Sequence, residues 1–263
     1  MNPLVLPFSE TNVVVTGSSS GIGRATAIAL AQAGASKLVV HYHRNRAGAT
    51  ETAKLATDAG CPDVSVIQAD LGEHQSRQRF VDEAFETLGQ VDAWINLAGA
   101  DVLTGEAAEM SFAEKLTRLW NVDVYGTIEL SRCVAKKLQS QATSRPPSIT
   151  FVGWDQAPHG MEGDAGQMFG PVKAAVMAFA NSLAQELAPE IRVNTVAPGW
   201  IQTSWGETTS PYWDARAKGQ SLMQRWGRPE DVAAAIAYLA NPANTFTTGQ
   251  TLNANGGWNR QFQ

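Results

Sequence analysis

Short apolar runs alternate with longer amphipathic stretches along almost the whole chain of 263 residues. The runs are rich in Val and Ile, and several are apolar without alternation, which is typical of strands buried on both faces. The predicted strands are Asn12–Thr16, Lys37–Tyr42, Asp63–Gln68, Val91–Asn96, Ser148–Val152, Ile191–Val196 and, more weakly, Gln250–Asn253. The predicted helices are Gly23–Ala33, Ala47–Ala59, His74–Leu88, Ser111–Gln139, Gln167–Leu187 and Pro229–Leu239. This order predicts an α/β fold with a doubly wound, parallel, seven-stranded sheet and helices on both faces.

The composition excludes several classes of protein and of partner. Hydrophobic residues make up 44% of the chain and charged residues 17%, which is unlike a disordered, collagen-like or coiled-coil protein. The net charge of −5 argues against a nucleic-acid partner. No apolar run reaches the roughly 18 residues of a membrane span. Cys61 and Cys133 are too few for a disulfide framework or a zinc site.

The chain is predicted to form one domain over residues 1–263. Its first residues lack the basic and long apolar regions of a secretory signal, so we expect a cytoplasmic protein. The one Pro- and Gly-rich stretch that could be a linker, Ala197–Pro211, lies between a predicted strand and a helix. We interpret it as part of a substrate lid over residues 197–225 and not as a domain boundary.

The first predicted strand runs through a glycine-rich turn directly into a helix. In this context Gly17 makes the tight turn, Gly21 lets the backbone approach a pyrophosphate, and Gly23 lets the helix pack closely on the strand. The start of the helix then offers free N–H groups and a positive dipole to the phosphates. The predicted dinucleotide contacts are Gly17, Ser18, Ser19, Gly21, Ile22 and Gly23. The alternative is a glycine turn with a purely structural role.

The end of the second predicted strand bears on the choice of dinucleotide. A carboxylate there would bind the ribose 2′-hydroxyl and favour NAD, but the chain has Tyr42, His43 and Arg44 and no acid. The Arg44 guanidinium can pair with a 2′-phosphate, with Ser18 and Ser19 as hydroxyl donors. The sequence therefore favours NADP, with NAD as the alternative and with Arg44 as a solvated loop cation in that case.

Further motifs make the chain similar to the short-chain dehydrogenase/reductase family over about residues 10 to 258. The matching segments are Thr16-Gly17 with Gly21 and Gly23, Asp70-Leu71, Asn96-Leu97-Ala98-Gly99, Asn194 with Pro198-Gly199, Ile201 and Thr203, Arg228-Pro229-Glu230-Asp231-Val232, Thr248-Gly249 and Gly256-Gly257. The resemblance implies a Rossmann-like fold, an NAD(P)-dependent oxidoreductase, a small-molecule substrate and a homo-oligomer, either tetramer or dimer. The cofactor contacts that it implies are Asp70, Leu71, Asn96, Ala98, Gly99, Lys173, Pro198, Gly199, Ile201 and Thr203.

The catalytic residues implied by the resemblance depart from the family's usual Asn, Ser, Tyr and Lys. Only the Lys is kept, as Lys173. The Tyr position is Phe169, four residues earlier, and a phenyl ring has no proton to donate. Trp154 takes the Ser position by strand alignment, with Asp155 or Gln156 as the alternative for that space, and Asp123 takes the Asn position. The resemblance therefore implies an atypical member that lacks the usual catalytic Ser and Tyr.

A carboxylic acid close to the nicotinamide can replace the missing proton donor if its pKa is raised. The peroxisomal 2,4-dienoyl-CoA reductases, a branch of the same family, resemble this site because they also lack the Tyr and carry an Asp on this helix. Asp123 and Asp155 are the better-placed candidates. For His159, Glu162 and Asp164 an ordinary polar surface loop is the favoured interpretation, and their spacing predicts no metal site.

Aromatic residues are concentrated after the Pro198-Gly199 motif, where the family closes over its substrate. The predicted substrate contacts are Trp200, Trp205, Tyr212, Trp213 and His159. Aromatic rings there can stack on a flat or apolar ligand. The alternative is packing against a helix that bears Leu222 and Met223, or a contact between subunits.

The favoured function is an NADP-dependent oxidoreductase that acts on a conjugated C=C, a C=N or a carbonyl group. Two alternatives remain open from the sequence. The missing Ser and Tyr are consistent with a non-catalytic dinucleotide-binding protein, such as a sensor or scaffold. The acidic loop is consistent with a lyase or isomerase that makes no net change to the nicotinamide.

Overall fold

Seven parallel strands form one sheet in a computed structural model that describes residues 7–203, 206 and 209–259. The strands are β1 (Asn12–Val15), β2 (Lys37–Tyr42), β3 (Asp63–Gln68), β4 (Ala93–Asn96), β5 (Ser148–Val152), β6 (Arg192–Pro198) and β7 (Thr251–Ala254). Their order across the sheet is β3-β2-β1-β4-β5-β6-β7. Successive strands are therefore added on one side of β1 as far as β3 and on its other side from β4 onwards, so the strand order reverses between β1 and β4. The predicted doubly wound fold is confirmed, and the reversal opens a crevice at the carboxyl ends of β1 and β4.

Helices cover both faces of the sheet. They are α1 (Gly21–Gln32), α2 (Arg46–Asp58), α3 (His74–Leu88), α4 (Phe112–Leu119), α5 (Thr127–Gln139), α6 (Gly163–Leu187), α7 (Pro211–Gln220) and α8 (Pro229–Ala240). One buried cluster joins the sheet to α3, α5 and α6, and a second joins it to α1, α2 and α8. The inner strands β1, β2, β4, β5 and β6 are largely buried because each side faces one of these clusters, whereas the edge strands β3 and β7 are partly exposed.

Two helical features differ from the sequence prediction. The predicted helix Ser111–Gln139 is interrupted, because a π-helical segment, Trp120–Gly126, separates α4 from α5. Its i→i+5 hydrogen bonds differ from those of an α-helix over only seven residues, too few for periodicity to reveal. Helix α7 was not among the predicted helices, because its apolar residues do not recur with helical spacing and it lies within the segment expected to form a lid. A short 3₁₀ turn, Gly105–Glu109, was also not predicted.

A buried histidine ties the glycine loop to the neighbouring strands. His41 on β2 accepts a hydrogen bond at Nδ1 from the Gly17 N–H (3.0 Å), so its Nε2–H donates to the Ala69 carbonyl after β3 (3.2 Å). Burial lowers the pKa of His41 to about 4. The imidazole is therefore neutral near pH 7, and its two hydrogen bonds hold the glycine loop to the sheet.

The same loop depends on the absence of two side chains. Gly17 has a φ of +63°, and a Cβ there would lie 2.6 Å from the Ala98 Cα. A Cβ on Gly23 would overlap the Gly17 carbonyl oxygen, because the first turn of α1 packs directly on the loop. Glycine at these positions lets β1, β4 and α1 meet without a steric clash.

We predict that Gly23→Ala lowers the free energy of unfolding by roughly 1–3 kcal/mol, the usual cost of overpacking. Gly170→Ala is the matched control, because Gly170 also lies in a helix but nothing beyond its own helix backbone is within 4 Å of its Cβ position. We expect the control to be neutral or slightly stabilised. Urea denaturation of both variants measures the difference, and equal stabilities would contradict the packing argument.

His41 should make stability depend on pH. Its pKa is about 4 in the folded protein and 6.5 as the ordinary value, so the unfolded chain binds more protons between these limits. The stabilisation by neutral His41 is complete above pH 6.5 and is lost as the pH falls towards 4. We expect the difference in unfolding free energy between wild type and His41→Asn to shrink by about 3 kcal/mol over this range. His74→Asn, at an exposed position, is the control, and a difference that stays constant with pH would contradict the prediction.

Candidate active site

A cleft of about 920 Å³ lies along the carboxyl ends of β1 to β4, around the point where the strand order reverses. The predicted cofactor residues that line it are Gly17, Ser19, Gly21, Ile22, Gly23, Arg44, Asp70, Leu71, Ala98, Gly99 and Thr203. These residues come from four strand ends and from the segment that follows β6. The fold therefore brings together most of the residues that the sequence assigned to the dinucleotide.

The floor of the cleft fits the pyrophosphate of a dinucleotide. Helix α1 begins at Gly21, so its first N–H groups face the cleft. Gly21 has a φ of +53°, and a Cβ there would meet only the Thr203 methyl group, at 3.9 Å. The backbone is thus exposed where phosphates need close approach, and a side chain at this position would be strained and would intrude on that space.

Two predicted cofactor residues lie behind the cleft, and the structure corrects their roles. The Ser18 side chain is buried, and its hydroxyl donates to the Val15 carbonyl (2.8 Å) and accepts the His41 N–H (3.0 Å). It is therefore unavailable to a 2′-phosphate. Asn96 is also buried; its amide accepts the Trp94 indole N–H (3.1 Å) and donates to the Ser131 hydroxyl (3.1 Å), which fixes β4 to α5.

The end of the cleft beside β2 and β3 carries more polar groups than the sequence identified. Arg44 lies exposed there, next to His43, whose Nε2 is 3.3 Å from an oxygen of Asp70. Arg118 and Asn121 also line the cleft, from α4 and the π-helical segment. His43 could have been found from its place beside Arg44, whereas the other two depend on the π-helical turn.

Lys173 and Asp123 form a buried ion pair. The Lys173 Nζ lies 3.1 Å from Asp123 Oδ2, and only 3% of the Asp123 side chain is exposed. The second oxygen, Oδ1, accepts the Ala100 N–H at 2.7 Å. Asp123 thus links α6, through Lys173, to the loop that follows β4, as its predicted position on the helix suggested.

Phe169 lies four residues before Lys173 on α6, so the two side chains share a face of the helix. It is half-buried and packs against the core cluster under α3, α5 and α6. Trp154 is also half-buried and follows β5 after Gly153. Neither side chain carries a group that can protonate a substrate carbonyl as a phenol does.

Asp155 is a buried carboxyl group at the edge of the Pro198-Gly199 segment. Its main-chain N–H donates to the Pro198 carbonyl (3.1 Å), and a Cβ on Gly199 would lie 3.2 Å from its Oδ2. Oδ2 accepts a hydrogen bond from the Asn255 amide at 3.0 Å, while Oδ1 has no partner among the described residues. Burial raises the pKa of Asp155 to about 6, although Asn255 opposes this shift.

The predicted substrate aromatics form a packed cluster with an arginine. The ring of Trp200 lies 5.7 Å from that of Trp213 and 5.9 Å from that of Trp226. The Arg216 guanidinium lies over Trp213 (5.2 Å) and Trp200 (5.9 Å) and is paired with Glu162. These contacts attach α7 to the start of α6.

The remaining aromatic predictions have different outcomes. Tyr212 is 60% exposed, and Trp205 lies outside the described residues. In the packing alternative Leu222 and Met223 were expected on a helix, but they are exposed in a turn after α7, and Trp200 packs against Trp213 of α7 instead.

The other polar candidates lie at the surface. His159 is exposed in a turn, with its ring 6.4 Å from that of Trp258, and Asp164 is exposed in the first turn of α6. Among the described residues, no three His, Cys, Asp or Glu side chains are grouped so that they could hold a metal ion. Within the same ranges, no helix has the length and apolar character to cross a membrane.

Comparisons with known proteins agree with this architecture. The family model described as enoyl-(acyl carrier protein) reductase matches residues 17–259. An uncharacterized oxidoreductase of Methylorubrum extorquens is 34% identical over 248 residues, covering 93% of this chain and 96% of that protein. A 3-oxoacyl-[acyl-carrier-protein] reductase of Synechocystis is 31% identical over 254 residues, covering 93% and 95%. The crystal structure of a short-chain dehydrogenase from Burkholderia cenocepacia in complex with NADP has a TM-score of 0.83 at 26% identity, covering 95% and 98%. The chain therefore belongs to the short-chain dehydrogenase/reductase family of oxidoreductases.

Proposed function

We propose that this chain is an NADP(H)-dependent oxidoreductase that reduces a small flat or apolar substrate in an active site without the usual Ser and Tyr. The substrate group is a conjugated C=C, a C=N or a carbonyl. The observation that carries this proposal is the buried Asp155 carboxyl, with its raised pKa, against the Pro198-Gly199 segment. It supplies an acidic group after the end of β5, while the family's Tyr position is occupied by Phe169.

The preference for NADP rests on the end of β2. Arg44 is exposed in the cleft, and Ser19 lines the same cleft. Residues 42–44 are Tyr, His and Arg, so this strand end offers no carboxylate to a ribose 2′-hydroxyl. A guanidinium binds phosphate through two parallel hydrogen bonds, so Arg44 can recognise a 2′-phosphate. A similar protein from Burkholderia cenocepacia binds NADP in its crystal structure.

Each polar side chain then has a separate role. The nicotinamide, when bound, supplies the hydride. Lys173 holds the ribose hydroxyls, and Asp123 holds Lys173 in place through the 3.1 Å ion pair. The Asp155 O–H gives its proton to the substrate atom that gains the electron pair. The resulting carboxylate then regains a proton from water.

Asp155 is a better candidate for the proton donor than Asp123 because of the contacts that each makes. One oxygen of Asp123 lies 3.1 Å from the Lys173 ammonium and the other accepts the Ala100 N–H at 2.7 Å, so both oxygens are already engaged. Asp155 has no cation within hydrogen-bond distance among the described residues, and burial raises its pKa to about 6. An acid of this strength is suited to proton transfer near neutral pH.

The substrate side is proposed to be residues 197–225, acting as a lid. The cluster of Trp200, Trp213 and Trp226 supports an apolar or flat substrate, because such rings favour stacking over solvation. Tyr212 is proposed to belong to the same wall, and His159 to its outer edge. The homo-oligomer stays a prediction from the family resemblance, and the cytoplasmic location stays a prediction from the first residues of the sequence.

Arg44→Gln should raise the Kd for NADPH by about 10-fold to 100-fold, because a charge-assisted contact with the 2′-phosphate is lost. The Kd for NADH should stay the same. Arg46→Gln is the control, because Arg46 is exposed at the start of α2 and does not line the cleft. Titration calorimetry with both nucleotides measures the effect. Equal losses for NADPH and NADH, or tighter binding of NADH by the wild type, would exclude the proposed NADP preference.

Asp155→Asn should lower kcat by about 100-fold or more without changing the Kd for NADPH, because it removes a general acid and no cofactor contact. NADPH oxidation is followed with cyclohex-2-enone, cyclohexanone and 2-methyl-1-pyrroline, one substrate for each class of double bond. Wild-type kcat should fall as the pH rises above about 6, where Asp155 loses its proton.

Asp164→Asn, an exposed acid on α6, is the control for this variant and should behave as the wild type. Asp123→Asn should instead weaken NADPH binding, because Lys173 loses its partner. Undiminished turnover by Asp155→Asn would show that another group supplies the proton. No NADPH oxidation with any of the three substrates would count against the proposed reaction.

A further inference from the structure

We propose that Asn255 is a positioning residue for the reaction: it holds one oxygen of the Asp155 carboxyl, so that the transferable proton is carried by the other oxygen. This inference rests on the proposed function of Asp155 and adds a residue that none of the family motifs discussed above assigns. Asn255 follows β7 directly, and Asp155 follows β5, so the pair spans the β5–β6–β7 edge of the sheet.

The orientation of the Asn255 amide is fixed by two hydrogen bonds. Its Oδ1 accepts the Gly257 N–H at 3.0 Å, so its other end, the NH₂ group, faces Asp155. Nδ2 donates to Asp155 Oδ2 at 3.0 Å. An amide held in this way can only donate to the carboxyl group, because its acceptor is already directed at the backbone.

This donor determines which carboxyl oxygen can carry the proton. An oxygen that accepts the Asn255 N–H keeps its lone pair towards the donor, so the acidic hydrogen belongs on Asp155 Oδ1. Oδ1 is buried and has no hydrogen-bond partner among the described residues, and neither has the Gln156 Nε2 atom next along the chain. Oδ1 is therefore the oxygen left to carry the proton, while Oδ2 is engaged by Asn255.

Gly199 provides the space in which the two side chains meet. A Cβ at this position would lie 2.6 Å from the Asn255 Cβ and 3.2 Å from Asp155 Oδ2. The glycine of the Pro198-Gly199 motif therefore also allows a contact between β5 and β7. The titratable group that faces Asp155 is His159, and the Arg225–Asp231 ion pair lines the small cleft beyond Asn255.

Two substitutions separate positioning from packing. Asn255→Asp keeps the size and the acceptor for Gly257 but places an oxygen against Asp155 Oδ2, and two carboxylates so close cannot both ionise. We expect the basic limb of the kcat–pH profile to move up by more than about one pH unit. Asn255→Ala only removes the donor. Because the Asn255 N–H stabilises the Asp155 carboxylate, its loss should move the basic limb up by roughly one pH unit.

A second measurement needs neither cofactor nor turnover. Difference infrared spectroscopy of the cofactor-free protein follows the carboxylic-acid C=O band that is absent in Asp155→Asn. Its titration midpoint should rise in Asn255→Ala and rise further in Asn255→Asp. Asn253→Ala is the control, because Asn253 is exposed on β7 and lines the same small cleft. Its midpoint should equal that of the wild type.

The outcomes distinguish this inference from the proposed function. An unmoved infrared midpoint in folded Asn255→Ala and Asn255→Asp would overturn the role of Asn255, whatever happens to activity. A lower kcat with an unmoved pH limb would likewise reduce Asn255 to a packing residue. If the limb persists in Asp155→Asn, Asp155 is not the proton donor, yet the infrared midpoints still decide whether Asn255 controls its carboxyl group.

Discussion

The close approach of the first turn of α1 to the glycine loop is the constraint on which the site depends. Because Gly23 has no Cβ, the helix start lies on the Gly17 carbonyl, and the loop is held from the other side by neutral His41. This arrangement brings the end of β1 beside the end of β4, where the strand order reverses. A dinucleotide cleft at this point follows from backbone packing before any side chain recognises the ligand.

Polar groups around this frame are buried in two different ways. Some are neutral and hydrogen-bonded, as with Asn96 between Trp94 and Ser131, and these join one element to the next. Others carry charge, as in the ion pair of Lys173 with Asp123, whose second oxygen holds the loop after β4. Asp155 belongs to neither group, because burial leaves it short of partners, and this is why it stands out as a reactive acid.

Local patterns predicted the seven strands of a doubly wound parallel sheet, the glycine loop and most of the cleft, because strand periodicity and turn glycines act over a few residues. The π-helical segment Trp120–Gly126 escaped prediction because its seven residues are too few for periodicity to distinguish them from an α-helix. The burial of the Ser18 hydroxyl and the contact of Asp155 with Asn255 could not be predicted, because both depend on how strands that are distant in sequence meet. Helix α7 is held by the Arg216 and Trp200 contacts, not by its own apolar face.

His41 and Asp155 are buried on opposite sides of the point where the strand order reverses, and proton binding to them has opposite effects on the stability of the fold. Neutral His41 makes the folded state less stable as the pH falls from 6.5 towards 4, whereas Asp155 gains its proton in the folded state first and makes it more stable from about 6 towards 3.8. The two effects offset one another over mildly acidic conditions. The raised pKa of Asp155 therefore opposes the loss of stability that His41 causes in mildly acidic conditions.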